Sequence, residues 1–147
     1  MDSKFKEILN VENFKARTDM RLLGGYYTPD KIVEDEDTDA VIFFESSSTG
    51  DRKAHIGELT QFLSYVNLGV ETRRNIYYVL FLCGQSKNSP TVEKEQERLR
   101  YYFENYTMKI GERSKIKGLY IANQKGVKIE DLTLEKIKEF NRIDSYE

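Results

Sequence analysis

The stretch PDKIVEDEDTDAVIFFESS, residues 29–47, decides the fold that we expect for this chain. It reads as two short strands, over about 31–34 and 40–44, with an acidic turn between them. Asp30 precedes the first strand and Glu45 ends the second, so pairing of these neighbouring strands would bring the two carboxylates together. Two carboxylates that converge at strand ends can hold Mg²⁺, a hard cation that takes oxygen ligands and binds phosphate oxygens.

Asp39 is the nearest rival to Asp30 as the first of these two acids. Along one continuous strand its Cα atom would lie about 20 Å from that of Glu45, at ~3.3 Å per residue. That separation is too large for a shared metal ion, whereas a residue on the adjacent strand can approach Glu45. The acids at 34–37 are interpreted as a solvated hairpin turn.

The rest of the chain predicts alternating helices and strands. After His55, apolar residues recur at steps of three and four, which predicts a core-facing helix that Gly69 ends. Gln61 and Tyr65 are i,i+4 neighbours and are expected to project from one side of this helix toward the strand ends. Further predicted elements are a helix within 3–14, a strand with a bulge or a tight turn over 20–27, strands over 76–83 and 118–122, and helices over 91–106 and from 133.

These motifs, in this order, resemble the PD-(D/E)xK nuclease superfamily, and most of all the FokI-type cleavage domain of type IIS restriction endonucleases. Pro29-Asp30 matches the opening PD, Glu45-Ser46-Ser47 stands where (D/E)-x-K is expected, and residues 61–65 fit the Q-x-x-x-Y pattern of the RecB-like branch. The resemblance covers roughly residues 24–143. It implies an α/β, restriction-endonuclease-like fold, a central mixed β-sheet flanked by helices, in a single nuclease-like domain over 1–147.

The same resemblance implies Mg²⁺-dependent hydrolysis of DNA phosphodiester bonds, with Mn²⁺ able to replace Mg²⁺. Asp30 and Glu45 would be the metal ligands, and Gln61 would help to position water or a phosphate. One site cuts one strand, so double-strand cleavage would need a homodimer or a partner subunit. Sequence specificity is expected to come from another polypeptide.

Ser47 departs from the family pattern, which has a lysine at this position. Lys53, or Arg52 next to it, would supply the missing cation from the loop or the helix start. Alternatively, activity is retained at a reduced rate without the lysine. In the third interpretation the domain is a pseudo-nuclease, a catalytically inactive DNA-binding or regulatory subunit, or Ser47 is an engineered inactivation. A serine nucleophile at 46–48 is not expected, because no G-x-S-x-G pattern surrounds these residues.

Composition limits the remaining function classes. With 23 Lys and Arg against 25 Asp and Glu, the net charge is −2, so we expect only weak non-specific binding to DNA. The single cysteine, Cys83, excludes an internal disulfide, and the single histidine, His55, excludes a two-histidine zinc site. His55 is expected to be a polar helix-start residue, and a general base is the alternative role. No apolar run is long enough for a membrane span, so we expect a cytoplasmic protein with no membrane contact.

Overall fold

A mixed sheet of six strands forms the centre of the structure, a computed structural model that describes residues 3–48, 51–83 and 91–145. The strands lie side by side in chain order. The central pairs β3–β4 and β4–β5 are parallel, and the β1–β2, β2–β3 and β5–β6 pairs are antiparallel, where the strands are β1 (Lys15–Ala16), β2 (Lys31–Asp35), β3 (Ala40–Ser47), β4 (Asn75–Leu82), β5 (Ile116–Asn123) and β6 (Asn141–Arg142).

Helices cover both faces of this sheet. They are α1 (Ser3–Ile8), α2 (Arg52–Asn67), α3 (Val92–Glu104), α4 (Ile110–Arg113) and α5 (Leu134–Ile137). Phe43 packs on one face in a cluster with residues of α2 and α3, and Phe44 packs on the other face with residues of α1 and α5. All eight residues of β3 are buried, as expected of a strand covered on both sides. The prediction of an α/β fold with a mixed sheet between helices is confirmed at this level.

The β2–β3 hairpin matches the pairing that the sequence predicts. Lys31 pairs with Phe44 and Asp35 pairs with Ala40, with a turn over 36–39 between the strands. This register places Asp30, just before β2, beside Glu45 near the end of β3. Asp39 lies at the opposite end of β3, where it accepts hydrogen bonds from Arg73 and Arg74. The exclusion of Asp39 from a shared site is therefore confirmed.

Two predicted elements are present in part. The stretch 20–27 forms the predicted tight turn but not a strand, because Leu22 and Tyr27 pair as an isolated bridge around a 3-10 turn, in which Gly24 has φ 65°. The amino-terminal helix ends at Ile8, and the chain after it runs beside the 129–132 segment, where the amide of Asn10 donates to the carbonyl of Ile129 at 2.9 Å. The two-residue edge strands β1 and β6 and the single turn α4 were not predicted.

None of the helices in the described residues is long and apolar enough to cross a membrane. The buried side chain of Arg100 connects α3 to the chain around β6, because it donates to the backbone carbonyls of Arg142, Ile143 and Ser145. At the other edge of the sheet, Arg17 donates to both oxygens of the buried Glu71.

Two glycine-to-alanine substitutions should have opposite effects on the free energy of unfolding. A Cβ atom at Gly118 would lie 2.5 Å from the buried ring of Tyr120, whereas nothing lies within 4 Å of a Cβ at Gly57 on α2. We expect Gly118→Ala to destabilise the protein by about 1–3 kcal/mol through overpacking. Gly57→Ala should stabilise it by about 0.5–1 kcal/mol through helix propensity. Urea denaturation measures both, and equal stability of the two variants would contradict the close approach at Gly118.

Candidate functional site

The site begins with the two acids that the sequence singled out. The backbone amide of Asp30 donates to the carbonyl of Phe44 at 3.1 Å and to Glu45 Oε1 at 3.3 Å. In return, Asp30 Oδ2 accepts a hydrogen bond from the amide of Ser46 at 2.8 Å. Each carboxylate thus accepts a hydrogen bond from a backbone amide on the other arm of the hairpin. The predicted meeting of Asp30 and Glu45 is confirmed.

A third acid, Glu58, adds negative charge to this pair. It lies on α2, which packs over the face of β3 that carries Phe43. Burial, followed by the charges of Asp30 and Glu58, raises the pKa of Glu45 to about 9. Burial and the charge of Asp30 raise the pKa of Glu58 to about 7, and burial raises the pKa of Asp30 above its ordinary value. Each carboxyl group therefore makes ionisation of its neighbours costly.

Buried polar atoms without hydrogen-bond partners surround the same acids. Within the described part of the chain, three side-chain atoms are buried and lack a partner: Glu58 Oε2, Tyr27 Oη and Tyr78 Oη. Burial raises the pKa of both phenols well above the ordinary value, and the charges of Glu45 and Glu58 add to this effect. Such atoms are rare in folded proteins because each one costs free energy when it is removed from water. Here they gather around the predicted ligand pair.

Ser47 lies two residues beyond Glu45, on the same face of β3, and is part of a buried chain of hydrogen bonds. Its hydroxyl is 2.9 Å from His55 Nε2, and His55 Nδ1 is 2.6 Å from Glu95 Oε2. Glu95 also forms an ion pair with Arg98 one turn later on α3. His55 and Glu95 are fully buried and Ser47 is 3% exposed. His55 lies in the first turn of α2, as predicted, but its ring is fully buried and points into the core between β3 and α3, which the sequence did not predict.

The other predicted site residues have environments of their own. Lys53 is exposed in the first turn of α2, where its amide donates to the cap residue Asp51. Gln61 is exposed, while Tyr65 is buried and donates to Glu71. The expectation that Gln61 and Tyr65 project together toward the strand ends is therefore wrong, because Gln61 lies outside the buried stripe of α2. The catalytic roles of Lys53 and Gln61 stay predictions.

Lys6 of α1 is a positive charge near the two acids that sequence reasoning missed. Its charge lowers the pKa of both Asp30 and Glu45, against the larger effect of burial. The carbonyl of Lys6 accepts a hydrogen bond from Lys31 Nζ at 2.7 Å, which fastens α1 to the start of β2. No local signal identifies this residue, since a lysine in an amphipathic helix is ordinary and its position depends on how α1 docks.

The donor set is suited to Mg²⁺ more than to a transition metal. Asp30, Glu45 and Glu58 offer carboxylate oxygens, and Mg²⁺ uses one or two carboxylates while it keeps several waters. Among the described residues, no group of three or more His, Cys, Asp or Glu side chains is arranged to hold a metal ion. A cation bound by two carboxylates and water is compatible with this finding. It would also compensate the buried negative charge that raises the pKa of Glu45.

Comparisons with known proteins do not add to this picture, because no protein-family model, curated protein or solved structure matches the chain. The resemblance to the PD-(D/E)xK superfamily therefore stays a prediction that depends on the motif residues and the order of elements.

The raised pKa values predict that the protein without metal loses stability as pH rises. A carboxyl group whose pKa is higher in the folded state stabilises the fold below its unfolded pKa, here 4.5, and loses that contribution as pH rises through the folded value. For Glu45 the window is pH 4.5 to about 9, and for Glu58 it is pH 4.5 to about 7. Glu45→Gln removes the ionisation, so it should be more stable than the parent at pH 9 by at least about 1.4 kcal/mol, the value of one pKa unit.

Chemical denaturation in the presence of EDTA at pH 5, 7 and 9 measures this difference. Glu97→Gln is the matched control, since Glu97 is an exposed acid of α3. Its stability should follow that of the parent at every pH. A parent whose free energy of unfolding does not fall between pH 5 and pH 9 would show that Glu45 ionises normally.

Proposed function

We propose that this protein is a Mg²⁺-dependent DNA endonuclease with a restriction-endonuclease-like fold, in which Asp30 and Glu45 hold the cation. The supporting fold features are the hairpin that carries the two acids, the parallel strand β4 reached through α2, and helices on both faces of the sheet. The arrangement agrees with the order of elements on which the family resemblance depends.

The observation that carries the proposal is the convergence of the buried Glu45 with the half-buried Asp30 and Glu58 at a predicted ligand pair. Folding places Glu45 next to Asp30 and within electrostatic reach of Glu58, although no described cation forms an ion pair with any of the three. A protein keeps such a costly cluster where function requires it. A divalent cation bound to the carboxylates favours their ionised forms and offsets the repulsion between them, so metal binding would stabilise the folded protein.

The chemistry follows from the charges at this end of the sheet. When bound, Mg²⁺ polarises a phosphoryl oxygen and acidifies an attacking water. Asp30 and Glu45 orient the cation, and the hairpin hydrogen bonds limit the freedom of both side chains. A site of this kind cuts one strand, so cleavage of both strands requires a second copy or a partner subunit. The net charge of −2 favours DNA delivery by a partner.

Metal binding should require both acids and should release protons. We expect isothermal titration calorimetry to detect Mg²⁺ and Mn²⁺ binding to the parent, with greater affinity at pH 8.5 than at pH 6.5. Buffers of different ionisation enthalpy should reveal proton release, since Glu45 must lose its proton to bind. Asp30→Asn and Glu45→Gln should weaken binding and reduce nicking of supercoiled plasmid by about 100-fold or more.

Glu97→Gln controls for the loss of one carboxylate and should bind metal and nick DNA like the parent. Failure of the parent to bind either metal would contradict the ligand assignment. Loss of nicking in Glu97→Gln as well would indicate a general charge effect. A labelled RNA of the same sequence in parallel reactions tests whether DNA is the preferred substrate.

A pseudo-nuclease is the second candidate function, and the observation that favours it is the environment of Ser47. The hydroxyl contacts a buried histidine, and no positive charge stands at the position of the family's lysine. In this case the parent binds metal and DNA but never nicks it, with Mg²⁺ or with Mn²⁺. The same calorimetry and plasmid reactions separate the two functions.

Lys6 and Lys53 compete for the role of the missing cation. Lys6 affects the pKa of both acids, whereas Lys53 is exposed at the start of α2. We therefore expect Lys6→Met to lower the single-turnover nicking rate at saturating Mg²⁺ by about 10-fold or more, and to lower it further than Lys53→Met does. A larger loss in Lys53→Met would assign the cation to the helix start instead.

A further inference from the structure

The hydrogen-bonded chain from Ser47 through His55 to Glu95 has no counterpart in the family motif, and it lies next to the acid pair. Glu45 and Ser47 alternate along β3 with Ser46, which faces the other side of the sheet, so the side chains of Glu45 and Ser47 project from one face with Cα atoms ~6.6 Å apart. His55 and Glu58 lie three residues apart on one side of α2. Glu45 of β3 and Glu58 of α2 therefore form one layer of side chains between the strand and the helix. Ser47 of β3 and His55 of α2 form the adjacent layer.

The partners of the imidazole determine its hydrogen-bonding roles. Glu95 forms an ion pair with Arg98, which favours its ionised, acceptor-only form. Nδ1 of His55 then carries the proton and donates to Glu95, and Nε2 accepts from the Ser47 hydroxyl. A base whose second nitrogen is oriented by a carboxylate is the arrangement that activates a hydroxyl in acid–base catalysis, and it is recognised by geometry and not by sequence position.

We propose that Ser47, His55 and Glu95 form a proton relay that accepts the proton of the water attacking the phosphodiester. The relay rests on the proposed nuclease function and assigns the base that a motif lysine would otherwise help to provide. Ser47 is the catalytic residue that faces the water, and His55 and Glu95 are positioning residues that act through it. A serine hydroxyl has one donor and two acceptor sites, so the bond to His55 does not prevent it from accepting a proton.

In the chemical step, the water oxygen forms a bond to phosphorus, and its proton passes to Ser47 Oγ as the serine's own proton passes to His55 Nε2. The bond between phosphorus and the leaving oxygen breaks, and that oxygen takes a proton from solvent. The imidazolium is stabilised by the Glu95 carboxylate until it returns its proton to solvent through Ser47. The net reaction is hydrolysis of one phosphodiester bond, with every residue restored.

Nuclear magnetic resonance can observe this relay directly, because the chain has one histidine and hence one set of imidazole signals. In the ¹⁵N-labelled parent, Nδ1 should be protonated with a slowly exchanging proton, as expected of a fully buried hydrogen bond. Titration with Mg²⁺ should change the ¹⁵N shift of Nε2 in the parent but not in Ser47→Ala, which breaks the connection to the acid pair. Ser114→Ala is the matched control, since Ser114 is exposed and its hydroxyl contacts the carbonyl of Gly111, outside the site.

Kinetics on the same samples supply the second readout. Ser47→Ala should lower kcat for nicking by about 100-fold, within the usual range for general base catalysis, and should leave KM and Mg²⁺ affinity close to those of the parent. Glu95→Gln should lower kcat in the same direction, because it removes the charge that stabilises the imidazolium. Circular dichroism and thermal unfolding establish that both variants are folded; should Glu95→Gln fail to fold, Ser47→Ala still decides the proposal.

Each outcome has a distinct meaning. Metal binding that does not change the Nε2 shift, or a Ser47→Ala variant with the parent's kcat, overturns the relay and leaves the nuclease function intact. A parent that binds Mg²⁺ without nicking DNA overturns the hydrolytic role of the relay and supports the pseudo-nuclease. A parent that does not bind Mg²⁺ overturns both proposals. Covalent labelling of Ser47 by a fluorophosphonate would assign a serine nucleophile instead of a relay.

Discussion

The hydrogen bonds between the start of β2 and the end of β3 are the constraint on which the candidate site depends. The Asp30 amide reaches Glu45, and the Ser46 amide reaches the Asp30 carboxylate. Through these bonds backbone geometry determines where two negative charges lie, and helix α2 then covers them. Because the sheet is packed on both faces, the acids cannot separate without breaking the hairpin register, which also aligns Ile32 and Phe43 in the core.

Charge compensation differs sharply between the two ends of β3. At its beginning, Arg73 and Arg74 pair with Asp39, and Arg73 also reaches Glu34, so the acidic turn is largely neutralised. At its end, Glu45 is buried beside further acids without a described ion pair. The carboxylates of Asp39 and Glu34, which have a structural role, thus form ion pairs with arginine. The contrast supports a separate purpose for the acids at the other end.

The sequence predicted those parts of the site that depend on local structure. A hairpin is defined by a turn and two apolar runs, so the meeting of Asp30 and Glu45 followed from the residues between them. Glu58 was missed because one acid on an amphipathic helix is indistinguishable from a solvated residue until the helix is docked. The contact of His55 with Glu95 was missed for a related reason, since 40 residues separate the two and only the packing of α3 beside α2 brings them together.

The short edge strands could not be predicted from sequence patterns either, because two residues cannot display an alternation of apolar and polar side chains. Lys15 and Ala16 are exposed and become a strand only by pairing with β2. The exposure of Gln61 has a similar cause. Gln61 lies four residues before the buried Tyr65, at the edge of the buried face of α2. At that edge a small rotation of the helix decides whether a side chain lies in the core or in solvent.

The consecutive order of the strands has a consequence for the path of folding. Every strand pairs with its neighbour in the chain, and the β2–β3 hairpin closes the shortest loop between long strands, so it can form early with both acids still hydrated. Water leaves the acids only when α2 docks on β3. At neutral pH that docking step must take up a proton, because burial beside further acids raises the pKa of Glu45 to about 9. The barrier of a late folding step therefore depends on pH, as the final equilibrium does.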